Sequence, residues 1–143
     1  MKKQEINVYK AIQQTSENAL KTINAVSDKI YDDNMALQMA GQALNYSKIR
    51  DEAVGELIRA GENVYRGSYV EDFARKSAIN YKTILNTSLS KIAEVMIGEN
   101  NTGIINMERA LNHNENIGKE PEELAHKLID AQEKHIANLK HYL

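Results

Sequence analysis

The chain has 143 residues, enough for one domain (1–143) with a real core, and its 42% hydrophobic and 27% charged residues are ordinary for a globular protein. A net charge of −2 gives no electrostatic reason to expect nucleic acid or an anionic membrane as partner, and the absence of Cys excludes disulfides, thiol catalysis and thiolate metal sites. The opening stretch, MKKQEINVYK, lacks the apolar run of a signal peptide, and no window approaches the ~18–20 apolar residues of a membrane span. The expectation is a soluble, cytoplasmic protein.

Apolar residues recur every three or four positions almost throughout, and Pro121 is the only proline, so the pattern predicts helices and no strands. The first runs from about 4 to 30, with Val8, Tyr9, Ile12, Ala19, Ile23, Val26 and Ile30 on one stripe. Asp33 is a candidate N-cap for the second, about 34 to 60, whose stripe carries Met35, Met39, Tyr46, Ile49, Ala53, Leu57 and Ala60. Gly61 and Gly67 bracket its exit. Ser68 and Glu71 form a capping-box pattern for the third, about 69 to 97, with Ala74, Ala78, Tyr81, Leu85, Leu89, Ile92 and Met96. The run Gly98-Glu99-Asn100-Asn101 reads as a break. A short amphipathic helix follows from Gly103 to about Asn112. Pro121, with Glu122 and Glu123, opens a last helix that reaches the C-terminus.

Four long amphipathic helices and one short one predict an all-α four-helix bundle with up-down order. Small residues on the stripes (Ser16, Ala19, Ala53, Ser77, Ala78, Ser88) let helices approach closely. A runner-up is a pair of hairpins whose core closes only in a dimer. Either way a homo-oligomer is expected, and the Ile104, Ile105, Met107, Leu111 segment is the candidate exposed patch.

The helix order, the stretch from Ile92 to Ile105 and the ending His135-Ile136-Ala137-Asn138-Leu139-Lys140-His141-Tyr142-Leu143 resemble small uncharacterised bacterial ferritin-like proteins. The resemblance implies a four-helix bundle and a place to look for a di-iron or di-manganese centre, built from a Glu on two helices and Glu-x-x-His on the other two.

Helical geometry tests that implication, since each residue advances about 100° round the axis. The one true Glu-x-x-His, Glu123 to His126, lies with Asp130 and Glu133 on the arc opposite Leu124, Leu128, Ala131 and Leu139, so it belongs to a solvated face. Gln132 and His135 share the apolar arc, but a glutamine amide carries no charge to offset a buried divalent cation. In the second helix Glu56 is the best acidic candidate. Glu94 sits opposite Leu85, and no further core-facing carboxylate emerges, with Glu17 only at a boundary. The candidate metal set is therefore His135, Gln132 and Glu56, without the carboxylates of an intact ferroxidase centre.

What the stripes do carry is neutral and polar: Ser16, Gln42, Asn45, Tyr46, Ser77, Tyr81, Ser88, Gln132 and His135. Such a set makes either a buried hydrogen-bond network or the lining of a small-ligand pocket. No Gly-x-Ser-x-Gly elbow, phosphate-cradling glycine loop or calcium loop is present. The expected function is a non-catalytic binding or structural module with a degraded di-metal site and no cofactor. The alternative is an Fe or Mn carboxylate protein, an oxidoreductase or metal store, with an atypical site around His135.

Overall fold

The three- and four-residue spacing of apolar side chains produces four α-helices in the computed structural model, which describes residues 1–64 and 88–143. They are α1 (Lys3–Val26), α2 (Asp33–Arg59), α3 (Leu89–His113) and α4 (Lys119–Leu139), with 3₁₀ turns at Ser27–Lys29 and Lys140–Tyr142. Among the described residues there is no strand, and no helix is long and apolar enough to cross a membrane. The expectations for Gly67, the Ser68–Glu71 capping box, and Ala74, Ser77, Ala78, Tyr81 and Leu85 lie outside the described residues.

The first two helices follow their stripes. Val8, Tyr9, Ile12, Ile23 and Val26 of α1 are buried against Met35, Met39, Tyr46, Ile49, Ala53 and Leu57 of α2 and the rest of one core. Ser16 is buried because its hydroxyl donates back to the carbonyls of Ile12 (2.6 Å) and Gln13 (3.1 Å), leaving no polar group unmet. The cap of α2 is Asp32, not Asp33: the Asp32 carboxylate accepts from the Met35 amide at 2.8 Å, and Asp33 is the first helical residue. At the other end Gly61 takes φ +76°, a left-handed conformation that favours glycine. The amides of Gly61 and Glu62 then donate to the carbonyls of Ile58 and Leu57, a Schellman closure that stops the helix.

The third helix differs most from expectation. Its N-cap is Ser88, whose hydroxyl accepts from the Lys91 amide at 3.3 Å, so Ser88 is exposed at a terminus and not on a core stripe. From there one helix runs through Gly98–Asn101 without a break, and no separate short helix exists. The suspected breakers are held inside the helix. Asn100 Nδ2 donates to the Met96 carbonyl (2.9 Å), and Thr102 donates to that of Gly98 (3.1 Å). A helical glycine costs about 1 kcal/mol against alanine; burying Ile92, Ala93, Met96, Gly103 and Met107 on one continuous stripe outweighs it. The expected patch dissolves for the same reason. Met107 is buried, Ile104 and Leu111 pack partly against the core, and Ile105 alone stands out in solvent.

In α4 the predicted face is the buried one: Leu124, Leu128, Ala131, Gln132, His135, Ile136 and Leu139. Glu123, His126, Asp130 and Glu133 are exposed.

Contacts at the two ends define the topology. At one end Glu5 accepts from the Gly118 amide (3.0 Å), Gln4 accepts from that of Asn116 (2.7 Å), and Lys10 pairs with Glu62 (3.4 Å). The start of α1 therefore meets the ends of α2 and α3 and the start of α4. At the other end Tyr142 donates to Asp32 at 3.2 Å, beside the start of α2. So α1 and α4 run one way, α2 and α3 the other. Among the described helices the neighbours α1–α2 and α3–α4 are antiparallel, while α2 and α3 are parallel; most of the helix expected between those two, about 69 to 97, lies outside the described residues.

Candidate functional site

Halfway along the bundle, where all four helices face one another, lies a cavity of about 300 Å³. It is lined by Thr15, Asn18, Ala19, Thr22 and Ile23 of α1, Tyr46 of α2, Met96, Glu99, Asn100, Thr102, Gly103 and Asn106 of α3, and Gln132 and His135 of α4. The volume is at the small end of ligand pockets.

Its floor is a hydrogen-bonded group joining three helices. Asn100 is the hub. Its Nδ2 donates to the Met96 carbonyl, which fixes the amide orientation and turns Oδ1 towards Tyr46, whose hydroxyl donates to it at 3.1 Å. The same Nδ2 stands 3.5 Å from His135 Nδ1, and so does the Tyr46 oxygen. Asn100 Nδ2 is a donor only, so a lone pair on His135 Nδ1 is the arrangement that accepts from it. The imidazole proton therefore sits on Nε2.

That Nε2 is buried with no hydrogen-bond partner among the described residues, and so is Gln132 Oε1, one helical turn away. Both side chains are only 1% exposed. Gln132 reaches this position because residue 103 is glycine. A Cβ there would collide with the Gln132 amide nitrogen and lie 3.0 Å from its Cδ.

Burial sets the charge state. It pushes the His135 imidazole down to about 4 and the Tyr46 phenol above its usual range. Both are neutral at physiological pH. Glu99, half-buried at the cavity wall, is raised by desolvation alone.

The sequence-predicted residues divide among several places. Gln132, His135 and Tyr46 meet at the cavity. Ser16 is satisfied by its own helix. Gln42 and Asn45 line a shallow cleft with Ala131 and Lys134, where Gln42 Oε1 is buried without a described partner. Glu56 is not brought to His135. It pairs with Arg59 in a charged cleft with Tyr9, Glu52, Glu120 and Lys127. It follows Tyr46 by ten residues, about 15 Å along α2.

Asn100, Gly103 and Glu99 escaped the sequence reading because the supposed break removed them from any helix face. The spacing of Met96, Asn100, Gly103 and Met107 was the signal that placed them. Thr15 and Thr22, spaced seven apart on α1, were equally readable.

A dinuclear metal centre needs about four carboxylates and two imidazoles. Among the described lining residues there are one imidazole, one carboxylate and otherwise only neutral amides and hydroxyls, and nowhere among the described residues do three His, Asp, Glu or Cys side chains gather. That donor set does not fit such a centre. No protein-family model, curated protein or solved structure matches the chain.

Proposed function

We propose that the protein is a non-catalytic ligand-binding bundle of the ferritin-like type, in which the mid-bundle cavity holds a small organic molecule in the place where such proteins carry metal. The observation that carries this reading is the pair of orphaned atoms, His135 Nε2–H and Gln132 Oε1. Leaving a buried donor or acceptor unmade costs about 1–3 kcal/mol each, and a ligand with one acceptor and one donor recovers both. The all-helical arrangement and the resemblance of the sequence support the ferritin-like part.

A fragment screen by amide-resolved NMR on the full chain tests it. Hits should move resonances of Ala19, Ile23, Asn100 and Gln132 together, and Ala19→Leu, which fills the cavity, should abolish them. Shifts scattered over the surface, or hits unaffected by Ala19→Leu, would refute the reading.

A further inference from the structure

The described lining carries one charge, on Glu99, and no cation, and this narrows the ligand; Thr15, Asn18 and Asn106 offer donors and acceptors alike. The Thr22 hydroxyl already donates to a carbonyl of its own helix at 3.0 Å, and that of Thr102 does the same at 3.1 Å. With their only protons committed, both offer lone pairs alone. Gln132 Oε1 is an orphaned acceptor. Glu99 is the one charged side chain among the described lining residues, which include no Lys or Arg, and no ion pair joins it to any described residue. Against these acceptors the floor sets one orphaned donor, His135 Nε2–H.

An anion would meet a carboxylate and no described cation. A neutral apolar molecule would leave the acceptors and the His135 proton unmade. A protonated primary amine brings three donors and a positive charge, and an acceptor close by on the same molecule meets His135. We infer that the ligand is a small organic ammonium ion bearing a nearby hydrogen-bond acceptor, of the amino-amide or amino-alcohol class, with Glu99 as counter-ion and His135 Nε2–H as donor to the acceptor. This rests on the binding reading above. The desolvation of Glu99 is independent support, since a cation beside it would offset that cost.

The test titrates glycinamide, its uncharged analogue acetamide and its anionic counterpart acetate into the full-length protein, following the cavity amides by NMR. Glycinamide should bind about tenfold more tightly than acetamide or better, the worth of one charge-assisted hydrogen bond. Glu99→Gln should bring glycinamide down to the acetamide level, and Glu99→Asp should keep part of the preference. Acetamide or acetate binding as well as glycinamide overturns the ligand class and leaves the binding reading standing. So does a glycinamide preference that survives Glu99→Gln. If none of the three perturbs the cavity, the ligand class and the binding reading fall together.

Discussion

Two polar regions of this bundle, about 15 Å apart along α2, have opposite chemistry. At mid-bundle, Tyr46, Asn100 and His135 are buried, uncharged and joined across three helices, with Gln132 buried beside them. Towards the end where α2 stops, Glu52, Glu56, Arg59, Glu120 and Lys127 line an open cleft of charged side chains. The phenols follow suit: Tyr46 is raised by burial alone, whereas Tyr9, raised to about 12, also feels the charges of Glu56 and Glu120. Solvent access, more than residue type, decides what each group can do. A dry neutral floor selects a ligand by hydrogen-bond polarity, while exposed ion pairs contribute little beyond solubility.

The difference is sharpest in acid. The folded-state pKa of His135 lies near 4, below its unfolded value of about 6.5. Above 6.5 the residue is neutral in both states and its stabilising contribution is whole. Between 6.5 and 4 the unfolded chain takes a proton that the fold refuses, so stability falls with pH. The loss should reach the order of 3 kcal/mol by pH 4. Chemical denaturation across that window should show the slope in the wild type and a shallower one in His135→Gln. Equal slopes would place the imidazole in water.

Tyr46→Phe should cost about 2 kcal/mol, because it leaves the Asn100 Oδ1 acceptor buried and unmade. A urea midpoint unchanged from the wild type would mean that the Tyr46–Asn100 bond does not form. Gly103→Ala gains helix propensity but drives a methyl into the Gln132 amide, so a net loss of about 1 kcal/mol is expected. Combining it with Gln132→Ala should remove that penalty, and a double-mutant cycle with no coupling would separate the two residues. At the cleft, Glu56→Gln should leave the melting temperature where it was, since its partner Arg59 is solvent-exposed. A clear drop would show the cleft to be more structural than its exposure implies.

The faces of α1, α2 and α4 were readable from periodicity, and so was the core position of Tyr46, Gln132 and His135. Helix ends were readable to within a residue where a side-chain cap or a left-handed glycine marks them, as at Asp32 and Gly61. The continuity of α3 was not. Gly98 and two asparagines look like a loop until tertiary burial of the stripe on either side outweighs their poor helix propensity. The parallel run of α2 and α3 is not a matter of periodicity. It depends on contacts between residues more than a hundred positions apart, such as Glu5 with Gly118. Because the cavity gathers across α3, misjudging that helix concealed Asn100, Gly103 and Glu99, and with them the polarity of the site.

The most direct measurement is the imidazole ¹⁵N spectrum of His135, followed from pH 8 to 4 with and without a cavity-binding fragment. A neutral ring with its proton on Nε2, titrating near 4, whose Nε2 signal moves when the fragment binds, is the predicted result. A midpoint near 6.5, or an Nε2 signal indifferent to the fragment, would contradict the account of His135 as the dry donor of a ligand site.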